Sequence, residues 1–464
     1  MVVVVVGAGP TGLATACALR LRGVGVRVVD AAPGPATTSR ALGLQPRGSE
    51  VLDRLGALGD LPERSVGVCR VVVHVGGRRA GELRVGRPTA LVRRPGLLVS
   101  QAEVEAGLRA RLADLGVEVE WGVAVTGLTQ DARGVAPTTA AGPVAADWVV
   151  GADGAHSAVR KAAGIGFPGV PLVENFVLGD VRAELPLPPD AVGVWAHGGA
   201  VFSAFPLPGG VWRFMAPAPG APVEDVPDFL ARAARQHAGA RVRAADEWLW
   251  TSVFRIHRRL AETYRRGRVL LAGDAAHIHS PFGGQGMNTG LGDAENVAWR
   301  LALVAEGRAG DRLLDGYQAE RRPVAEDVLG VTSGLTGLVL GESRAVRLVR
   351  DRVLFPLLGL RPVEELIWER ASQLRTSYAR RRPGRRPRVG DRVAEHATGN
   401  GFGWTLAGPA GDGCAAVVRD LLGEVRRVHR DGDALLVRPD GHLAWRGEPE
   451  PAELRRALAV MLDR

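Results

Sequence analysis

Five consecutive valines, Val2 to Val6, run directly into Gly7-Ala-Gly-Pro-Thr-Gly12. An unbroken β-branched run predicts a strand buried on both faces, as in a parallel sheet covered by helices. Apolar spacing over 13–22 then predicts a helix, and 24–29 a second strand ending at Asp30. Helical spacing returns over 48–58 and over 99–115, where Val104, Leu108 and Leu112 fall on one face. Alternating, turn-rich sequence predicts strands over 66–85, 117–128 and 148–150. From about 170 to 256 the alternation is that of an antiparallel sheet, with a hairpin of 200–207 and 211–216 around Pro208-Gly-Gly210. An apolar strand over 269–272 enters Gly273-Asp274, and a Pro/Gly-rich loop leads to a helical pattern over about 286–303. Helices are expected over roughly 311–371. The last ~75 residues read as a small α/β unit with a hairpin over 434–445 turning at Pro439-Asp-Gly441.

The 464 residues suffice for two or three domains, each with its own core. Hydrophobic content of 46% and charged content of 23% are those of a soluble globular protein. No apolar run is long enough to span a membrane, and Val2 to Val6 is too short for a secretory core, so a cytoplasmic location is expected. Cys17, Cys69 and Cys414 have no metal or redox spacing and read as reduced, unpaired residues. The net charge of +9 is carried by arginine, Lys161 being the single lysine. These arginines are scattered among 50 acidic residues, which argues against nucleic-acid binding and for small anionic partners. The basic Pro/Gly run over 380–388 reads as a linker.

Three glycine-bearing stretches carry the candidate chemistry. In the first, Gly7, Gly9 and Gly12 sit between a strand and a helix, with the strand-end acid Asp30 following. That is the arrangement of a dinucleotide-binding βαβ unit: Gly7 makes the turn, Gly9 admits a pyrophosphate, and Gly12 permits close helix–sheet packing. An acid at position 30, rather than Arg or Lys, favours FAD or NAD before NADP. The second is Gly151-Ala-Asp-Gly-Ala-His-Ser-Ala-Val-Arg160, a strand-to-helix turn. The third, over 267–296, puts Asp274 at a strand end and free N–H groups at a helix N-terminus. It lies so far from the first that a ligand bound by both must be long. His277 and His279 could ligate a metal, but no third ligand accompanies them at useful spacing, and no metal is expected.

In this order the three motifs resemble the single-component aromatic hydroxylases of the flavoprotein monooxygenase class, of para-hydroxybenzoate hydroxylase type. Ser39-Arg-Ala41 with Arg47, Ser100-Gln-Ala-Glu-Val-Glu105 and Leu314-Asp-Gly-Tyr-Gln-Ala-Glu-Arg-Arg-Pro-Val324 extend the likeness towards hydroxylases that tailor aromatic polyketide antibiotics. The resemblance covers residues 1 to about 330 strongly and the remainder more weakly. It implies an α/β architecture: a Rossmann-like FAD-binding domain, an inserted antiparallel β-sheet substrate domain, and a C-terminal thioredoxin-like α/β domain without redox cysteines. The expected FAD-binding domain comprises 1–175 and 263–330, with about 68–97 lending strands to a middle domain of 176–262. A helical connection over 331–380 and a C-terminal domain over 388–464 complete the expected division.

By the same resemblance, Gly7, Gly9, Pro10, Thr11 and Gly12 would hold the pyrophosphate region, Asp30 the adenosine ribose, and Val125 a further part of the cofactor. Arg40 would contact the flavin mononucleotide portion, Gln101 the ribityl or phosphate region, and Asp153 both FAD and the nicotinamide nucleotide. Gly273 and Asp274 would hold the ribityl chain. Pro281, Gly283, Gly284, Gln285, Gly286, Met287 and Asn288 would line the isoalloxazine, with Pro281, Phe282 and Gly283 as the ring's immediate environment. The helix dipole would there stabilise negative charge on reduced flavin. Trp195, Phe202, Phe205, Trp212 and Arg213 are substrate-facing candidates, although alternation alone does not say which face looks at the flavin. Two positions depart from the family pattern: Arg47-Gly-Ser-Glu50 replaces Arg-Thr-Leu-Glu, and Phe282 stands where smaller residues are common, either shaping the substrate pocket or simply packing.

The implied reaction is reduction of FAD by NAD(P)H, addition of O₂ at C4a, and oxygen transfer from hydroperoxyflavin to an aromatic substrate, a polycyclic phenol or quinone. No residue is assigned as general acid or base. A Baeyer–Villiger insertion would use the same intermediate, and a flavin-fold protein that shelters a pathway intermediate without oxygenating it is the non-catalytic alternative. Halogenation fits poorly, since Thr251-Ser252 follows Trp248-Leu-Trp250 and the required pocket lysine is missing. A disulfide reductase would need a second GxGxxG and a redox cysteine pair. Monomer and homodimer are both compatible with the sequence.

Overall fold

The structure is a computed structural model that describes residues 1–38, 41–197, 200–218, 223–239, 248–279, 283–340, 343–379, 387–394, 402–409 and 411–463. The valine run forms the strand Val2–Val6 of a six-stranded sheet. Its neighbours are Trp148–Gly151 and Gly25–Asp30, both parallel, with Val269–Leu271 and Val119–Trp121 beyond them and Arg265–Arg266 at one edge. The continuous apolar pattern follows from the helices Pro10–Arg20 and Gly286–Ala305, whose buried residues join one core with Val3 to Val6. The segment over 117–128 does not form one strand: Val119–Trp121 edges this sheet, while Val125–Gln130 belongs to a separate three-stranded sheet. The break falls at Gly122, whose positive φ of 74° turns the chain.

A second sheet of eight strands stands beside the first. Its order is His277–Ile278, Trp248–Leu260, Gly169–Arg182, Val211–Ala218, Ala200–Leu207, Ala191–His197, Arg70–Val75 and Arg78–Arg84. All neighbours pair antiparallel except Ala191–His197 and Arg70–Val75, which are parallel and over a hundred residues apart. The helix Val226–Ala238 covers one face, packing Leu230 and Ala234 against Val177, Phe202 and Phe214. The strand Gly169–Arg182 passes through the boundary expected at 175, pairing with Trp248–Leu260 on both sides of a register shift between Pro171 and Asn175.

Helices Asp315–Leu340, Arg344–Val349 and Arg361–Ala371 connect to the C-terminal unit. That unit is a four-stranded sheet in the order Val425–Val428, Trp404–Ala407, Ala434–Val437, Leu443–Gly447, the first pair parallel and the rest antiparallel. Helices Asp412–Leu422 and Pro451–Met461 pack on it. Most of the basic run expected as a linker, 380–386, lies outside the described residues. Among the described residues no helix is long and apolar enough to cross a membrane.

Candidate active site

One continuous cleft of ≈ 2920 Å³ runs between the two large sheets. It brings together Gly9, Pro10, Thr11, Gln101, Asp274 and the run Gly283, Gly284, Gln285, Gly286 and Met287. Gly7, Gly12, Asp30, Val125, Asp153, Gly273 and Asn288 do not line it. Arg40, Pro281 and Phe282 lie outside the described residues.

The glycines of the first motif divide by what surrounds them. Gly7 has a φ of +107°, and a Cβ there would lie 2.3 Å from the Ala152 carbonyl oxygen. A Cβ at Gly12 would stand 1.9 Å from the Gly7 oxygen, so both positions need glycine for packing. Gly9 has nothing within 4 Å of its would-be Cβ, leaving bare backbone at the N-terminus of Pro10–Arg20 open to the cleft. That is the cradle a pyrophosphate requires.

Asp30 sits just behind the cradle, accepting from the backbone N–H groups of Ala8 at 2.6 Å and Ala32 at 2.8 Å. It therefore braces the glycine turn. Val125 is buried in its own small sheet opposite Thr139, away from the cleft. Asp153 accepts from the Ser157 hydroxyl at 2.5 Å and from the Val159 N–H at 3.1 Å, capping the helix Ala158–Ala162. In the same motif Arg160 donates to the Ala275 carbonyl at 2.9 Å, joining the second stretch to the third.

Asp274 is exposed to the cleft and accepts no hydrogen bond from any other described residue. It nevertheless lies deep within the molecule, and that burial pushes its carboxyl upward, opposed by the neighbouring His277. A deep carboxylate that accepts from no other described residue fits a ligand hydroxyl. The adjoining helix Gly286–Ala305 points its N-terminal N–H groups into the same space, so the residues present suit a flavin with its ribityl chain. Asn288 plays a supporting part: its Oδ1 accepts from the Gln45 N–H at 2.9 Å, and its Nδ2 donates to the carbonyls of Gly43 at 3.0 Å and Gly284 at 2.7 Å.

Further residues shape this region from beneath the Asp274 turn and around the helix N-terminus. Asp293, fully buried beneath the Asp274 turn, accepts from the Gly273 N–H at 3.1 Å and from Arg321 Nε at 2.7 Å, and lies 2.7 Å from His277 Nε2. Burial opposes its charge, but Arg321 and His277 outweigh that and hold the carboxyl below its usual range. His277 thus serves this network. Among the described residues there is no group of three or more His, Cys, Asp and Glu that could hold a metal. Gln373 adopts a left-handed φ of 61° and donates to the Gln285 carbonyl and side chain and to Thr289 Oγ1, tethering the helix N-terminus to the segment after Arg361–Ala371. Polar residues inside an apolar helical pattern hinted at Asp293; nothing local marked Gln373.

Beyond Asp274 and Gly286, the cleft is walled by one face of the eight-stranded sheet, where Val73, Val194, Leu178 and Met215 present an apolar surface. Phe205 and Arg213 also line it. Arg213 is buried and bidentate to Asp180, at 2.7 and 2.8 Å, and lies 5.3 Å from the Trp250 ring. Trp195, Phe202 and Trp212 point the other way, into the core beneath the helix Val226–Ala238. Their expected substrate-facing placement is corrected by the register: successive residues alternate faces, and these three share the parity of Phe214 and Val177. Leu354, Phe355, Leu358 and Ile367 from the helical connection close the opposite side.

A parallel sheet with a glycine turn at the end of Val2–Val6, opening into a cleft with an apolar antiparallel wall, suits a dinucleotide cofactor beside a flat apolar ligand. Residues 1–332 match the FAD binding domain family and residues 389–464 match the aromatic-ring hydroxylase C-terminal family, and the chain belongs to these FAD-dependent aromatic hydroxylases. Among its relatives is a rifampicin monooxygenase of Streptomyces venezuelae, 37% identical over 484 residues, covering 98% of both chains. The dialkyldecalin synthase of Streptomyces rugosporus is 32% identical over 469 residues, covering 97% of each. The structure superposes on an anhydrotetracycline hydroxylase from Streptomyces rimosus with a TM-score of 0.81 and 34% identity, covering all of both chains.

Proposed function

We propose that this monooxygenase uses NAD(P)H and O₂ to oxygenate an aromatic polyketide-like substrate, a polycyclic phenol or quinone. The observation that carries the reading is one cleft, in which the carboxylate of Asp274, without a hydrogen-bond partner among the described residues, and the N-terminus of Gly286–Ala305 share one space with a broad apolar wall. Bound FAD would supply reduction by the nicotinamide and activation of oxygen. Asp274 would accept a ribityl hydroxyl, Gly9, Pro10 and Thr11 would hold the pyrophosphate, and Gln101 would meet the chain between them. The N–H groups of Gly286 and Met287 would stabilise negative charge on the reduced ring without reorganisation. Phe205, Met215 and Leu178 would bind the flat substrate, while the helical connection excludes water. Arg213 is already neutralised by Asp180, so it would donate to a neutral carbonyl or hydroxyl rather than capture an anion.

The strand order and pairing of the C-terminal unit support a thioredoxin-like topology, in which Cys414 is buried and has no nearby cysteine partner. A second reading, a flavin-fold protein that binds a pathway intermediate without oxygenating it, draws on the likeness to a relative named as a synthase and not as a monooxygenase. One experiment separates the two. The purified protein should be yellow, and a polycyclic phenol should accelerate NAD(P)H consumption with product gaining one oxygen atom. A colourless protein, or nicotinamide oxidation that yields only peroxide with every aromatic offered, would overturn the leading reading.

A further inference from the structure

A buried charged cluster lies away from the cleft, where the C-terminal unit meets the helix Gly286–Ala305. Along this helix the neighbours change. Gly286 and Met287 face the cleft, whereas Trp299 and Leu303 share a core with Trp404, Leu406 and Leu458 of the C-terminal unit. Between these ends Glu295, Asn296 and Arg300 are buried. Glu295 accepts from Arg47 and Arg54, each at 2.7 Å, and Arg300 pairs with Glu320 at 2.8 Å.

Asp440, at the tip of the Pro-Asp-Gly turn, accepts from Asn296 Nδ2 at 3.1 Å, Trp299 Nε1 at 3.3 Å and Arg438 Nη2 at 2.7 Å. Its backbone carbonyl accepts from Arg47 at 2.8 Å. A second line starts from the same turn: His442 stacks on Tyr378 at 4.1 Å, and the Tyr378 hydroxyl accepts from Arg321 at 3.1 Å. Arg321 pairs with Asp293, which holds the Gly273 N–H.

Such a cluster contributes little net stability, because desolvation offsets the attraction between its charges. Removing one member is another matter, since the remaining charges stay buried and unpaired. The helix therefore cannot slide or rotate without stranding them. We propose that the turn formed by Arg438 to His442 fixes the axial register of Gly286–Ala305, and so holds the helix end that faces the flavin, with Asp440 as a positioning residue. The effect on cofactor rests on the FAD reading above; the register does not.

The test uses the full chain as wild type, Asp440→Ala, Asp440→Asn and Leu458→Ala. Leu458 lies in the C-terminal core, and truncating it loosens that unit while leaving the turn's hydrogen bonds in place. Amide hydrogen exchange over 285–293 is followed in the apo chain, and the FAD dissociation constant is measured by flavin fluorescence, both well below the unfolding transition. D440A should exchange about tenfold faster there and bind FAD about tenfold more weakly, a typical size for coupling between sites. D440N, which keeps one acceptor oxygen, should fall between, and L458A, which thins the core shared with Trp299 and Leu303, should change each less than D440N. Unaltered exchange over 285–293 in D440A, or an equal response in L458A, overturns the proposal. Should D440A not fold, D440N carries the same comparison. A wild type that takes up no FAD would sink the cofactor reading alone, because exchange in the apo chain still decides the register.

Discussion

Replacing Asp274 with alanine separates a ligand-binding carboxylate from a structural one. The side chain faces the cleft and accepts no hydrogen bond from another described residue, so among those residues the substitution removes no contact of that kind. A hydrogen bond to a charged group contributes about 1.5–3 kcal/mol, which corresponds to roughly ten- to 150-fold in FAD affinity. The apo protein should respond in the opposite sense. Burial raises this carboxyl in the folded chain, so its ionised form opposes folding above that pKa and the opposition fades as pH falls. At neutral pH D274A should therefore leave the apo melting temperature unchanged or slightly higher. Flavin fluorescence titration measures the first effect and differential scanning fluorimetry of apo protein the second. An FAD affinity within threefold of wild type would refute the assignment, as would a melting temperature lowered by several degrees.

The two inner glycines should behave differently. Gly9→Ala meets open space and should fold normally while weakening FAD, whereas Gly12→Ala drives a methyl into the Gly7 carbonyl and should yield unstable or insoluble protein. Phe205→Ala should raise KM for aromatic substrates with little change in melting temperature, and Trp212→Ala, buried on the other face, should cost about 3–5 kcal/mol of stability at unchanged KM. Burial opposes the Glu320 charge, but Arg438 and Arg300 outweigh it and hold its carboxyl at about 2. Its stabilisation is present above the unfolded value of about 4.3 and lost as pH falls towards 2, so Glu320→Gln should flatten the decline of melting temperature across that window. An unchanged acid limb in E320Q would contradict this.

Much of the framework follows from local pattern. Val2 to Val6, the glycine turn and Asp30 specify a βαβ unit because strand, turn and helix are neighbours in sequence and each residue's role there is steric. The run from Gly267 to Asn296 likewise reads as strand, turn and helix N-terminus, which placed Asp274 at the end of a strand. Which face of the middle sheet lines the cleft was not legible. Period-two alternation is symmetric, and only the helix Val226–Ala238 breaks the tie by covering Trp195, Phe202 and Trp212 while leaving Phe205 and Arg213 to the cleft. At Asp30 and Asp153 the sequence marks a carboxylate at a turn, and folding adds the backbone N–H groups that each accepts from.

The Pro439-Asp-Gly441 turn shows most plainly what tertiary structure added. As sequence it marks a hairpin, and a hairpin forms there. That Asp440 would lodge against Asn296 and Trp299, tying the C-terminal unit to the helix that faces the cleft, depends on contacts across more than 140 residues. Local propensity holds no information about such contacts, because burying a charge is decided by whichever partners arrive with it.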